Sequence, residues 1–598
     1  MMLEKNLRAI TKKYPSYPAL IKHSTQGLVF QVIDTKNHSK TIEIADGENS
    51  FLVHSKYNPE QEAARMVKDL DLSGLNSIIV IGCGLGYHLL QLYEQTKKTG
   101  IKLFIIVTKP ELLKESLKYN DFTALFKSDS AYLYLQEDIN INQLGDFIAR
   151  RIDQVYENIG ICLLPAYKRY DQLNYQLILS EIKYILKMIK LNQNTIIKRS
   201  YSWEENLISN LSLFLKNQGI EPLKGMFRNE PAIIVSAGPS LKKNVEYLKK
   251  VKGKALIIAV DAVLTNLLGK DIIPDIVMVL DGYKYTLRHF EGLDYSKLKD
   301  TILIGAPQFF HHIFAEWPGP VVFAPTYGMT EKLINWVEKL SNFKGRIKIG
   351  GSIAHLAFGF TYHIGANPIV LIGQDLAFTD GFTHAEGVAY NAKVSDSMKN
   401  SKRYFEIEDI HGNSVWTQSQ LYQYLQWFNR EINDIKQQNK KIKIINATEG
   451  GAKIEGTEVM SLQDVINKYC QMKIKAAEKI KNNVISFNPV YDQGIVISAV
   501  QELINNLNKL KGLAQSALQL LEQNDNNHLC SELKEINDKI YQMKDKVMLY
   551  ESAIFLLSQT KFENTSDLLT IYQTLSGSSQ FTSILKKIIN DLQVSLQK

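Results

Sequence analysis

Pro231-Ala232-Ile233-Ile234-Val235-Ser236-Ala237-Gly238-Pro239-Ser240-Leu241 is the stretch whose reading decides the fold. Ala232–Val235 is short, apolar and β-branched, the pattern of a strand buried on both faces. Ser236–Ser240 punctuates it. Leu241, Val245 and Leu248 follow at helical spacing, which predicts a helix starting near Ser240. A strand, a glycine turn and a helix N-terminus in succession make an anion site, because free backbone N–H groups and the positive end of the helix dipole face one spot. Gly238 allows close approach to the backbone, Pro239 suits the first helical position, and Ser240 offers a hydroxyl. The plainer alternative is an ordinary turn within a parallel sheet, and these residues alone leave both open.

Working outward, apolar runs at 255–260, 276–280, 301–304, 321–323 and 369–372 alternate with helical stretches. That alternation predicts an α/β fold with a doubly wound, Rossmann-like parallel sheet. Such sheets bind ligands beyond the carboxyl ends of their strands. Ser236, Asp261, Asp281, Gly373, Gln374 and Asp375 stand there and are the candidate site residues. Asp261 and Asp281 could orient a ribose or a base, or could cap the helices that follow. Gly350-Gly351-Ser352-Ile353-Ala354-His355 precedes a further apolar helix and offers a second set of backbone donors with a hydroxyl. The strand at 369–372 runs into a polar loop, Gly373-Gln374-Asp375-Leu376-Ala377-Phe378-Thr379-Asp380-Gly381-Phe382-Thr383-His384. His384 is the residue of this loop whose ordinary pKa suits general acid–base work; a surface histidine is the alternative. Asp409–Asn413 reads as a tight turn. After a strand at Ile442–Ile445 comes Asn446-Ala447-Thr448-Glu449-Gly450-Gly451, whose small and polar residues fit a polyol or a carboxylate.

Residues 1–195 read as an α/β region of their own. Leu28–Ile33 and Thr41–Ile44 form a small β unit. Ser77–Ile81 leads into the glycine-rich Gly82–Tyr87, and Phe104–Val107 is the next strand. This resembles the start of a methyltransferase-like nucleotide-binding unit. The second strand, however, ends Val107-Thr108-Lys109-Pro110 without the acid that would hold ribose hydroxyls. The expectation is a degenerate, structural Rossmann-like unit, with His88 a hydrogen-bonded scaffold histidine. Residues 166–218 read as mainly helical, with Trp203 a packing anchor. Residues 481–598 read as a helical region. One stripe runs from Leu503 to Leu521, a second runs from Leu533 to Ile554 near a 3.5-residue repeat, and Asn524–Asn527 turns between them. A packed hairpin and a docking surface for a partner chain are both compatible with those stripes.

The 598 residues fit about three or four domains, and a net charge of +8 is small for that length, giving no case for nucleic acid. The cysteines Cys83, Cys162, Cys470 and Cys530 fit neither a disulfide framework nor zinc spacing. The N-terminus lacks the apolar core of a signal peptide, and no run approaches the ~20 apolar residues of a membrane span. A reduced, cytoplasmic protein is expected.

The central region, 196–480, resembles the Maf, or motility-associated factor, glycosyltransferases that modify flagellin. The carrying stretches are Ala232–Leu241, Pro274-Asp275 to Asp281, Gly351–His355, Gly373–Phe378 and Thr448–Gly451. The three-region layout also resembles that family. The Gly238–Leu241 turn, with Gly351-Ser352 and Gln374-Asp375, is similar to bacterial sialyltransferases using a CMP-activated donor. The resemblance implies transfer of a nonulosonic acid, of pseudaminic or legionaminic type, from CMP to Ser or Thr hydroxyls of flagellin. On it, His384 and Asp375 are the catalytic candidates. Gly238, Pro239, Ser240, Asp261, Asp281, Gly351, Ser352, Gln374, Thr448, Glu449 and Gly450 would bind donor or acceptor. No metal or other cofactor is obligatory on this reading, and dependence on a divalent ion stays open. The Gly-Pro-Ser-Leu and Pro-Asp segments also resemble a shorter pterin diphosphokinase-like group, which would turn the same strand ends to ATP and magnesium. A third alternative is a flagellin-binding protein without catalysis.

Overall fold

The computed structural model describes all residues except 1, 25–26, 138, 140, 150, 153–157, 328–329, 389–390, 402, 523–528, 551–552, 555–556, 558–564, 578 and 597–598. The expected turn at Asn524–Asn527 lies outside the described residues. The chain forms two compact units, Met1–Ile196 and Ile197–Lys598.

In the first unit, β1 (Phe30–Asp34), β2 (Lys40–Asp46) and β3 (Asn49–Leu52) form an antiparallel meander. β4 (Ser77–Ile81), β5 (Lys102–Val107), β6 (Ala131–Leu135) and β7 (Ile159–Leu163) make a parallel sheet in the order β6-β5-β4-β7. The glycine turn after β4 is packed by the protein's own side chains. A Cβ at Gly82 would lie 2.7 Å from the Tyr167 ring, one at Gly84 2.4 Å from His54 Nε2, and one at Gly86 2.3 Å from Phe122. At the end of β5 the Thr108 hydroxyl lies 2.6 Å from the Tyr167 hydroxyl and also donates to Asp171. Asn174 donates to both Asp171 oxygens at 3.1 Å, and Lys109 Nζ lies 3.8 Å away. An acid absent from the strand is thus supplied by a later segment, but its lone pairs are taken up by neighbours. His88 is buried with Nε2 3.0 Å from the Gly82 carbonyl, and burial holds its pKa down to about 4. A neutral, hydrogen-bonded histidine fits those values.

The second unit carries an eight-stranded sheet, ordered β12-β11-β10-β9-β8-β13-β16-β17. Its strands are β8 (Ala232–Val235), β9 (Leu256–Val260), β10 (Ile276–Val279), β11 (Ile302–Gly305), β12 (Val321–Phe323), β13 (Ile369–Ile372), β16 (Ile444–Asn446) and β17 (Glu458–Val459). Every pairing is parallel. The six strands expected from 232 to 372 are present, and the sheet extends past β13 by two more. Alternate strand residues separate into different cores, as period-2 geometry requires. Ala232, Ile234, Ile258, Met278 and Leu371 join one cluster, whereas Ile233, Val235, Ile257, Ala259 and Val370 join another. β14 (Tyr404–Glu408) and β15 (Ser414–Gln418) form a separate antiparallel hairpin. At its tip, Asp409 accepts from the His411 and Asn413 N–H groups at 2.8 Å each.

The segment after Ser240 departs from the expected helix. It forms short 3₁₀ turns, Pro239–Lys243 and Val245–Tyr247, before the single-turn helix Leu248–Val251. Asn244 is the cause: its backbone leaves the helical region, and its side-chain amide donates to the Ala447 carbonyl at 2.8 Å. Tertiary pinning wins over local apolar spacing. The C-terminal region also departs from a simple hairpin. Gln493–Glu522 packs against Leu529–Gln542 and against two further helices, Thr565–Ser576 and Ser579–Leu596. The stripe expected to continue from Leu533 to Ile554 breaks where Met548 and Tyr550 take left-handed backbone conformations. Leu503, Leu507, Leu510, Ala514 and Ala517 share one buried cluster with Val277, Val279, Leu303 and Phe323 of the sheet. The C-terminal helices therefore cover one face of β10–β12. Trp203 is buried, as a packing anchor should be.

Candidate functional site

β8 lies between β9 and β13, so the chain winds outward in opposite directions from the β8–β13 pair. Such a reversal opens a crevice at the carboxyl edge of the sheet. The residues read from the sequence gather there in two groups.

One group is internally bonded. Asp375, 2% exposed, accepts from the Ser240 N–H at 3.1 Å and from the Ser240 hydroxyl at 2.7 Å. It also accepts from the Thr379 hydroxyl. The Gly238 N–H donates to the Gly373 carbonyl at 2.7 Å. A Cβ at Gly238 would lie 2.0 Å from Asp375 Oδ2, so glycine is required here by close packing. The donors of the Gly238–Ser240 turn that were expected to face a phosphate are spent on Gly373 and Asp375. Pro239 is buried beside them. The Thr448–Gly451 segment closes over the same knot. The Ala452 N–H donates to the Asp375 carbonyl at 2.7 Å, and Gly450 sits where a Cβ would meet Thr379 and Ser240. Glu449 accepts from the Leu462 N–H at 3.1 Å, capping the helix Leu462–Tyr469. Thr448 is fully buried. The knot locks β8, β13 and β16 together and braces the crevice floor.

The second group faces the crevice. Ser236 donates to Gln374 Oε1 at 2.7 Å, bridging the ends of β8 and β13. The Ala385 N–H donates to the Ala237 carbonyl at 2.9 Å, which seats His384 beside the β8 turn. His384 is half-buried. The buried His289 lies close enough that, after burial itself, the charge of His384 is what holds its pKa down. Asp261 follows β9 and Asp281 follows β10. Burial pushes Asp261 up to about 7, and the neighbouring Asp281 charge adds to the shift. Burial pushes Asp281 up to about 6, with Arg199 pulling the other way. The Arg199 guanidinium sits 3.5 Å from the Tyr283 ring centroid, and the Tyr283 and Tyr285 rings stack at 5.3 Å.

Ser352 caps the helix Ile353–His363, accepting from the Ala354 N–H at 3.3 Å. This helix precedes β13 and runs antiparallel to it in the crossover, so its N-terminus points to the carboxyl edge. Tyr424 ties this turn to the acids. A Cβ at Gly351 would touch the Tyr424 ring at 3.8 Å, and the charges of Asp281 and Arg199 both act on the Tyr424 hydroxyl. His355 is buried against the same ring, with Nε2 3.2 Å from the Tyr424 carbonyl. The Ser352 turn, Asp281 and Asp261 thus share one edge.

Arg199, Tyr283, Tyr285, His289 and Tyr424 were not singled out by the sequence. Each sits in a helical or loop stretch whose pattern reads as packing, and only the fold brings them to the acids. Among the described residues, no group of three or more His, Cys, Asp or Glu side chains gathers as a metal site. Among the described residues, no helix is long and apolar enough to cross a membrane. Chemically, the edge offers groups that titrate near neutrality, an arginine, a capped helix N-terminus and stacked aromatic rings.

Residues 60–192 match the family described as glycosyltransferase Maf N-terminal domain. Residues 205–381 match the family described as 6-hydroxymethylpterin diphosphokinase MptE-like. An uncharacterized protein of Treponema pallidum (strain Nichols) is 26% identical over 212 residues, which is 35% of this chain and 36% of that protein. The match therefore spans about a third of that relative's length. A solved structure of a MAf glycosyltransferase from Magnetospirillum magneticum AMB-1 superposes over 100% of this chain and 96% of its own, with a TM-score of 0.52 and 14% identity. At that identity the likeness is one of fold. The resemblance read from the sequence is thus supported by the N-terminal family match at 60–192 and by the fold of the whole chain, while most of the central stretches that carried it fall within the match to the pterin diphosphokinase-like family.

Proposed function

Since the chain carries the Maf N-terminal domain and the fold of a Maf glycosyltransferase, we propose that it transfers a nonulosonic acid from a CMP-activated donor to Ser or Thr hydroxyls of flagellin, in the cytoplasm, in support of flagellum assembly and motility. The observation that carries this reading is the meeting of His384 with the Ser236–Gly238 turn at the reversal of strand order, on the edge that also holds Asp261, Asp281 and Ser352. In the reaction, the bond from the anomeric carbon to the phosphate oxygen of CMP breaks and the phosphate keeps its electron pair. The acceptor oxygen forms the new bond, and its proton passes to His384. With the Gly238 turn closed, the developing phosphate charge falls to the helix N-terminus at Ser352 and to the Arg199 guanidinium. Gln374, held by Ser236, lines the floor, while Asp375, bonded to Ser240, braces the adjoining turn.

A second reading has the match of residues 205–381 in its favour: an enzyme of the pterin diphosphokinase-like kind, using ATP with magnesium. Calorimetric titration of the purified chain separates the two. Saturable binding of CMP without magnesium, with no uptake of ATP and magnesium, is the expected result. Uptake of ATP with magnesium and none of CMP would favour the kinase reading, and uptake of neither would favour a flagellin-binding protein without catalysis.

A further inference from the structure

We infer that the amino edge of the eight-stranded sheet, opposite the candidate site, is a docking face for an anionic lipid bilayer. The inference goes beyond the sugar-transfer reading and does not depend on it.

The strands of this sheet all run parallel, so the segments that enter them share one edge. Those segments are rich in lysine. Lys252 and Lys254 enter β9, Lys299 enters β11, and Lys440, Lys441 and Lys443 enter β16. The segment after the helix Leu462–Tyr469 adds to them. Its Ile474 N–H donates to the Gly253 carbonyl at 2.7 Å, which seats Lys473 and Lys475 beside the β9 entry. The helix Ala476–Ile485 then runs along the same edge. Lys479 pairs with Glu230 ahead of β8, and Lys481 pairs at 2.5 Å with Asp300 ahead of β11. The acids of these segments are thereby matched: Asp275 holds Lys252 at 2.5 Å, and Glu478 holds Lys475 at 3.0 Å. Lys254, Lys299, Lys440, Lys441 and Lys473 form no ion pair among the described residues. In a chain whose net charge is +8, those unmatched lysines make this edge strongly positive.

Charge alone suits any polyanion, and Met472 narrows the choice. It stands in the loop 470–475 beside Lys473 and is 78% exposed. An apolar side chain gains free energy at the boundary between headgroups and acyl chains, while flanking lysines stay with the lipid phosphates. A nucleic acid would need an open ring for its bases to stack on. The ring at this place, Tyr469, is half-buried, with the ammonium groups of Lys443 and Lys468 at 5.0 and 5.2 Å from its centroid. An acidic protein would have to offer Met472 a matching apolar hollow, whereas a bilayer needs no such match. Docked in this way, the carboxyl edge with Asp261, Asp281 and Ser352 faces away from the lipid and stays open to soluble substrates.

Co-sedimentation of the purified chain with lipid vesicles tests this. Binding is expected to vesicles of phosphatidylcholine with about one-third phosphatidylserine and not to phosphatidylcholine alone. It should fall steeply as salt rises from about 0.1 M to about 0.5 M. Each lysine beside an anionic surface strengthens binding about fivefold, so Lys441→Glu with Lys473→Glu should weaken it by about 25-fold or more. Met472→Ser should weaken it about fivefold and leave the salt dependence as it is. Lys284→Glu with Lys393→Glu makes the same charge change at the carboxyl edge and should bind as wild type does. All five side chains are exposed, and an unchanged thermal midpoint confirms that each variant is folded. No wild-type binding at low salt, equal binding to the neutral vesicles, or equal losses in the two double variants overturns the assignment. Capture of poly-glutamate or of a single-stranded oligonucleotide without capture of vesicles overturns it in favour of an acidic protein or a nucleic acid. CMP binding enters none of these outcomes, so the donor reading stands or falls separately.

Discussion

Asp375→Ala is expected to lower the stability of the second unit by roughly 3 kcal/mol, the cost of leaving buried donors without an acceptor. The Ser240 N–H, the Ser240 hydroxyl and the Thr379 hydroxyl all donate to this carboxylate. Each orphaned buried donor costs about 1–3 kcal/mol, partly offset because a desolvated charge is removed with it. Burial raises the Asp375 pKa, and its hydrogen bonds from Thr379 and Ser240 pull the other way. Asp375→Asn should lose less, since one carbonyl oxygen remains to accept. Urea unfolding checks both: the midpoint should fall with the slope unchanged. If Asp375→Ala unfolds within about 0.5 kcal/mol of wild type, the usual spread of a neutral surface change, the knot does not brace the sheet.

His384→Ala should lower turnover by about 10²-fold or more while CMP affinity stays within twofold, the signature of a lost general base. The loop geometry makes this testable, because the Ala385 N–H to Ala237 carbonyl bond is a backbone contact that the substitution spares. The base must accept its proton in the neutral state, so wild-type turnover should rise with pH until the imidazole is deprotonated, and the alanine variant should lose that limb. Unchanged turnover removes His384 from the reaction. An equal loss of CMP affinity would make it a binding residue instead.

How much of this was legible in the residues follows from what each signal measures. Ala232–Val235, Ile276–Val279 and Ile369–Ile372 are strands because β-branched runs of that length bury on both faces, and periodicity reports that directly. Asp261 and Asp281 reached the edge because a parallel sheet sends its strand ends there, and Ser352 because the crossover helix it caps begins at that edge. The closure of the Gly238 turn was not legible. Its N–H groups are visible in the sequence, but Asp375 returns to take them from more than a hundred residues away. The same holds for Asn244, whose bond to Ala447 replaces a helix with 3₁₀ turns. Arg199 and Tyr285 carried no local motif, because an arginine on a ring looks like any arginine until the fold places the ring. β17 has only Glu458–Val459, too short for alternation to register.

The most direct test of the central claim is the intact mass of purified flagellin after incubation with this protein and a CMP-linked nonulosonic acid. A mass gain of one glycosyl unit per modified hydroxyl, with release of free CMP and loss of both in His384→Ala, is the predicted result. Flagellin of unchanged mass, with the donor intact in the presence of well-folded wild-type protein, would contradict it.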